Sequence, residues 1–555
     1  MKRLFLSAFL LGGLYSIGYA QSFQDSLKDV INFGKYIGIG LTETEADSLL
    51  GNLRSQKRNI LQLHAAPVPN HLPYPFAFHP HLGKKLPTKR DAVQSPLKDI
   101  PVSKKVNLPS NINALAFYSI PELASLLRQK KITSVELTEF FLNRLKQYKD
   151  TLYCVISLTD SIAMVQARQA DRELQSGKDR GLLHGIPYGL KDLFFVKGTK
   201  TTFGALPFKD QDSEIDAFVY KQLRDAGAVL CAKLSMGELA YGDRWFGGLT
   251  RNPWDLHQGS SGSSAGSASA VAAGLLPFAI GTETHGSIIS PSIRCGTVGL
   301  KPSFGAVART GAMVLSWSLD KIGPICRNVQ DAAIVYSYIK GADEADPSSV
   351  DYAFRYVPPK AIGKLNIGYA ENYYRNVRPE SPSATLLKDL EKEGIKLLPA
   401  VFPDSGIYDS GLMSIIISVE SAAAFDELTR TNQDDLLVRQ DKAFWPNSFR
   451  AARFIPAVEY INANRHRYTL TQKVNRFMED YDVLILPGPT GASLAITNLT
   501  GHPMISLPIG LGENGKPVSI ILMGKLYGEA EILAVAEKIQ QITAFHKNKP
   551  PIFKP

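Results

Sequence analysis

From residue 119 onward the sequence is punctuated at regular intervals, and that alternation is what most restricts the fold. Ser119-Ile120-Pro121-Glu122 and Thr133-Ser134-Val135-Glu136 each set a hydroxyl three residues ahead of a glutamate, a pattern that caps a helix start reciprocally. The first predicts a helix to about Gln129; the second predicts one whose apolar face is Leu137, Phe140, Phe141 and Leu145. Ala163, Ala167, Ala170 and Leu174 continue the helical period in a third segment. Between and beyond these helices lie short apolar runs at 154–158, 228–232, 276–280, 365–369 and 483–486, which are strand-like in length and composition. Strands alternating with helices predict a mixed or parallel sheet covered on both faces.

The first 112 residues differ in character from the rest. Lys2 and Arg3 precede an apolar stretch to about Ile17, and Gly18-Tyr19-Ala20 supplies small residues at a cleavage site. Residues 1–20 therefore read as a secretory signal cut after Ala20, which predicts a secreted or periplasmic protein. The apolar stretch is shorter than the ~20 residues a membrane span needs, so no membrane association is expected after cleavage. Residues 21–65 read as an N-terminal helical segment, with Thr42-Glu43-Thr44-Glu45 capping a helix over 46–61. Prolines 67, 69, 73, 75, 80, 87, 96, 101 and 109 make 66–112 an extended connector, because each removes a donor and biases its predecessor away from helix. Residues 113–555 form the remaining domain. The net charge of +10 is spread without blocks of like charge or a basic stripe interleaved with aromatics, which argues against nucleic-acid binding. Cys154, Cys231, Cys295 and Cys326 lack metal-type spacing. The sequence sets no oligomeric state.

Three glycine-rich segments carry the chemistry. Lys191 closes His184-Gly185-Ile186-Pro187-Tyr188-Gly189-Leu190-Lys191, an apolar run expected to end at the edge of the sheet, where burial would lower the amine pKa. The plain alternative is an exposed lysine paired with Asp192. Ser263 lies in Gly262-Ser263-Ser264-Ala265-Gly266-Ser267, ahead of a small-residue helix. The same stretch also matches Gly-x-Ser-x-Gly with Ser264 as nucleophile, a motif that needs a strand before it, whereas 253–258 is a poor strand. Ser287 closes Gly281-Thr282-Glu283-Thr284-His285-Gly286-Ser287, where the N–H groups of Thr284, His285, Gly286 and Ser287 could converge as an oxyanion hole. A serine is a weak nucleophile until a base takes its proton, and a lysine can be that base only when neutral. Any one of these loops alone reads equally as a plain turn.

Taken together they resemble the amidase signature family. Its core resembles Gly-Gly-Ser-Ser-Gly-Gly-Ser, then Gly-Thr-Asp-Thr-Gly-Gly-Ser-Ile-Arg, then Cys-Gly-Val-Val-Gly-Leu-Lys-Pro. Here these read Ser261 to Ser267, Gly281 to Ile289, and Cys295-Gly296-Thr297-Val298-Gly299-Leu300-Lys301-Pro302. The similarity extends over about 113–545, through 183–193, 232–240 and 498–503. It implies an α/β/α sandwich with a large mixed, mostly parallel central sheet. It also implies Ser287 as nucleophile, Ser263 as bridging serine behind a cis peptide bond, and Lys191 as terminal base. The reaction implied is hydrolysis of a small-molecule amide or a peptide amide, with no cofactor and no metal. Met236, Ser264 and Ile289 are the candidate substrate contacts, and about 343–477 is a variable, substrate-side region. Ala265, Glu283, His285 and Ile289 depart from the pattern and bear on substrate preference. Alternatives are a glutaminase resembling the catalytic component of glutamyl-tRNA amidotransferase, an esterase using Ser264, and a secreted binding protein without activity.

Overall fold

The computed structural model describes residues 26–35, 38–65, 105–355, 359–404, 410–488 and 492–555. The signal sequence expected over 1–20 and most of the proline-rich connector lie outside the described residues. An eleven-stranded sheet organises the chain: β1 (Val155–Leu158), β2 (Pro187–Lys191), β3 (Val229–Leu234), β4 (Phe278–Glu283), β5 (Val298–Lys301), β6 (Lys321–Cys326), β7 (Ile367–Ala370), β8 (Leu397–Ala400), β9 (Val483–Leu486), β10 (Met504–Leu511) and β11 (Pro517–Gly524). Their spatial order is β1-β3-β2-β4-β6-β5-β10-β11-β9-β7-β8. The sheet is mixed, as expected, but its balance differs from the mostly parallel arrangement anticipated. β2 runs parallel to β3 and β4, and β7 to β8 and β9, while the other six pairings are antiparallel. One of those six has a local cause: β10 and β11 are joined by a short turn around Glu513 to Lys516, which a parallel crossover cannot use.

Every residue of β2, β3, β4, β5, β6 and β9 is buried, so both faces of the sheet's centre are covered. The capping boxes form where the sequence placed them. Glu45 caps Thr42 at the head of α1 (Glu43–His64), Glu122 caps Ser119 before α2 (Ile120–Arg128), and Glu136 caps Thr133 before α3 (Ser134–Leu152). The alanine-periodic segment is α4 (Asp160–Gln175), which buries Ala163, Ala167 and Ala170. The N-terminal helical segment packs Leu27, Val30, Ala46, Leu49 and Leu50 around Ala451 of the helix Trp445–Ala452, with Glu45 3.0 Å from Arg450. The four cysteines are buried free thiols, and burial pushes Cys154 up to about 12.

The small-residue helix α5 (Ala265–Ala272) explains its own composition. A Cβ on Gly266 would sit 2.3 Å from the Cys154 carbonyl, and the Ser267 hydroxyl reaches the Ile280 carbonyl of β4 at 3.1 Å. Only side chains this small let the helix lie directly on the strands that carry the polar groups described next.

Candidate active site

Lys191 ends β2, which is not at an edge of the sheet but third in order, between β3 and β4. Its side chain is fully buried, and Nζ lies 2.8 Å from Ser263 Oγ, 2.9 Å from Thr282 Oγ1 and 3.2 Å from Ser264 Oγ. The plain alternative fails here, because Asp192 is taken by Lys233 at 2.8 Å and by the Thr202 hydroxyl at 2.5 Å. Burial drives the Lys191 amine down from 10.5 to about 7, against the opposing charges of Asp320 and Glu283.

Three hydroxyl oxygens surround Nζ, enough to accept all three protons of an ammonium or, once one proton has left, to face the lone pair of a neutral amine. Ser264 Oγ commits its proton to the Thr282 carbonyl at 3.1 Å and so can only accept from Lys191. With Thr282 Oγ1 accepting the second N–H, the amine lone pair is left for the Ser263 proton. Ser263 follows a cis peptide bond after Gly262, as the resemblance implied, and a Cβ on Gly262 would collide with the Gly242 carbonyl at 1.7 Å.

Ser287 lies beyond the end of β4, ahead of α6 (Ile289–Cys295), and its carbonyl accepts the Ser264 N–H at 3.0 Å. The loops of Ser263 and Ser287 therefore meet through their backbones. Among the described residues the buried Ser287 hydroxyl makes no hydrogen bond, to Ser263 or to any other group. Catalytic hydrogen bonds of this kind commonly tighten only around substrate. The N–H groups of Thr284, His285, Gly286 and Ser287 engage no protein acceptor among the described residues. Gly286 has φ of 86°, a left-handed turn that suits glycine.

Alternation along β4 sorts the polar residues. Thr282 and Thr284 border a cavity of about 370 Å³, together with Arg309, Met313, Trp317 and Asp320. Glu283 points the other way. Its carboxylate accepts the Ile288 and Ile289 N–H groups, each at 2.9 Å, and the Asn498 amide at 2.8 Å. Burial opposes its charge, but Lys301, these donors and Lys321 together hold its carboxyl below the ordinary value. Glu283 thus fixes the turn that carries Ser287. Burial lowers Lys301 to about 8 and holds Lys321 well below its ordinary value.

The other sequence candidates divide. Thr284 borders the cavity. Met236, Ser264 and Ile289 are buried and, like Lys191, Ser263 and Ser287, are not among the residues that line it, and His285 is exposed beside the loop. Ser264 ties the head of α5 to β4 through both Thr282 backbone groups, each at 3.1 Å. A strand does precede it, at Asp255–Gly259, contrary to the reading of 253–258 as a poor one. That strand pairs with Arg251–Asn252 in a separate ribbon, so Ser264 does not top a central strand as a nucleophile elbow requires. Thr282, Asp320, Arg309 and Trp317 were missed. The period-2 pattern of 281–284 would have placed Thr282 beside Thr284. Nothing local in the sequence marks the other three.

Known proteins agree with this architecture. A family model described as Amidase matches residues 136–533. The chain is 34% identical over 486 residues to the A subunit of glutamyl-tRNA(Gln) amidotransferase from Geobacillus sp. (strain WCH70), covering 78% of this chain and 99% of that one. It is 32% identical to the same protein of Coxiella burnetii (strain Dugway 5J108-111), with the same coverage. The solved structure of native peptide amidase from Stenotrophomonas maltophilia superimposes with a TM-score of 0.70 at 28% identity, over 80% of this chain and all of that one. With a family match over most of its length and relatives of this likeness, the chain belongs to the amidase family, as an amidase-signature enzyme that hydrolyses amide C–N bonds.

Proposed function

We propose that this enzyme cleaves a small-molecule amide or a peptide amide through an acyl-enzyme on Ser287, with Ser263 and Lys191 as the proton relay. The observation that carries the proposal is the buried Lys191 amine, held 2.8 Å from the Ser263 hydroxyl with its pKa brought down to about 7. In the neutral state its lone pair receives the Ser263 proton as Ser263 receives that of Ser287. The Ser287 oxygen attacks the amide carbon, and the oxyanion forms against the unengaged N–H groups of residues 284–287. The proton returns through Ser263 to the leaving nitrogen, the C–N bond breaks, and ammonia or an amine departs. Water then attacks the ester by the same relay, releasing the carboxylic acid and restoring the Ser287 hydroxyl. The steps use only these side chains, backbone N–H groups and water.

The apolar stretch after Lys2 and Arg3, with small residues to Ala20, supports export and removal of residues 1–20. No described helix is long and apolar enough to cross a membrane. The 34% identity with the Geobacillus amidotransferase protein supports a second reading, a glutaminase that works on charged tRNA with partner chains. Export would separate this chain from such partners, so location discriminates the two. Lys191→Ala and Ser287→Ala are expected to abolish amide hydrolysis in a protein that still folds, and Ser263→Ala to cripple it nearly as badly. Wild-type turnover by Ser287→Ala would overturn the assignment.

A further inference from the structure

Residues 309–320 form a strap with a cavity on each side. On one side lies the cavity of about 370 Å³ that contains Thr282 and Thr284. On the other lies a second cavity of about 350 Å³, walled by Phe195, Phe203, Phe208, Phe425 and Leu428. Ala312, Met313, Val314 and Trp317 border both, so the two spaces adjoin across these four side chains. The second space is aromatic by construction: Phe203 packs edge-on to Phe195 at 5.8 Å and lies 5.0 Å from Phe208, which approaches Phe425 at 6.4 Å.

The strap is held from beneath by buried charge. Asp320 accepts the Leu315 and Ser316 N–H groups at 2.8 and 3.0 Å, and its other oxygen accepts the Thr284 hydroxyl at 2.6 Å. Glu420 accepts the Ser316 hydroxyl at 2.5 Å and both the Ser318 hydroxyl and N–H, at 2.6 and 3.0 Å, and Arg467 donates to Ser318 at 2.8 Å. Between these two anchored serines Trp317 is 50% exposed, and its ring stacks on no other aromatic among the described residues. A single exposed apolar side chain needs no explanation. An indole fixed at the partition between two adjoining cavities, one of them lined by four phenylalanines, does.

We infer that the aromatic cavity is the subsite for a large apolar group, aromatic in the first place, carried by the amide substrate, with Trp317 as the wall on which that group packs. The inference rests on the proposed attack of Ser287 on an amide. It adds the substrate class: amides with an aromatic or bulky alkyl arm, discriminated from small amides by burial of that arm. Asp320 couples the two functions, since one carboxylate holds both the strap and Thr284 of the oxyanion loop.

The test compares kcat/KM of the full-length protein for acetamide, 3-phenylpropanamide and N-(2-phenylethyl)acetamide, in the wild type and in Trp317→Ala and Val314→Phe. At least one aromatic amide should exceed acetamide by about tenfold or more, the discrimination expected of an apolar pocket. Both variants should shrink that ratio, one by removing the wall and the other by filling the space, with the change chiefly in KM. Val314→Phe keeps the test open if loss of the indole impairs folding. Equal turnover of all three amides by the wild type, or a ratio unmoved by either variant, overturns the subsite and leaves the hydrolytic reading intact. Turnover of none of the three overturns that reading and the subsite with it.

Discussion

Replacing Lys191 with methionine should inactivate the enzyme and, at mildly acidic pH, make it more stable. Methionine keeps the unbranched stem as far as the ε position and removes the charge that burial penalises. In the unfolded chain the amine titrates near 10.5, whereas in the folded protein it titrates at about 7. At ~1.4 kcal/mol per pKa unit this corresponds to about 5 kcal/mol of destabilisation below pH 7, where both states are protonated. Between pH 7 and 10.5 the unfolded state holds the proton that the folded state has released. Wild-type stability therefore rises with pH across that window, by about 1.4 kcal/mol per unit, until the penalty is gone. Against this gain, methionine strands the Ser263 and Thr282 hydroxyls that Nζ contacts at 2.8 and 2.9 Å, at about 1 kcal/mol each. The variant should thus be more stable than wild type by about 3 kcal/mol at pH 6 and less stable by about 2 kcal/mol near pH 10.5. Urea unfolding of both proteins at matched pH values reads the difference as a shift in midpoint at constant slope. A difference that stays constant from pH 6 to pH 10 would refute the claim that Lys191 is neutral in the folded protein at working pH.

The same pKa sets the pH profile of catalysis. Neutral Lys191 is required, so kcat/KM should fall on the acid side through about pH 7, measured as initial rates on one amide. Thr282→Val removes an acceptor that favours the ammonium over the amine, so the acidic limb should move to lower pH while the maximum rate drops. An unmoved limb would mean that the hydroxyl at 2.9 Å does not sense the charge. Export can be read directly: N-terminal sequencing of the mature protein should begin at Gln21, and an intact Met1 would contradict the proposed leader.

Much of this arrangement was legible because it is encoded locally. The Ser119, Thr133 and Thr42 caps are four-residue patterns, and the run at 483–486 is a strand with the bounds read from its apolar side chains. The loops of Lys191, Ser263 and Ser287 stood out through glycines that their geometry needs, as at Gly262 and Gly286. What escaped was set by distance in sequence. The antiparallel majority of the sheet depends on which strands become neighbours, and β5 pairs with β10 some two hundred residues later, a choice no local pattern states. Asp320 acts on Thr284 across 36 residues and Asn498 on Glu283 across 215. Met236 and Ile289, expected at the substrate, pack into two separate hydrophobic clusters, a partition no local pattern states. Trp317 reads as an ordinary loop residue until the fold sets Phe195, Phe203 and Phe425 behind it.

In the proposed reaction the acyl group is carried by the hydroxyl at position 287 and not by that of a neighbouring serine. This is tested most directly by labelling the folded protein with a fluorophosphonate and locating the adduct by peptide mass spectrometry. One residue, Ser287, should be modified: in the wild type at pH 8, several times more slowly at pH 6, and not at all in Lys191→Met. An adduct on Ser264, or an adduct on Ser287 that forms as fast without the lysine as with it, would contradict this.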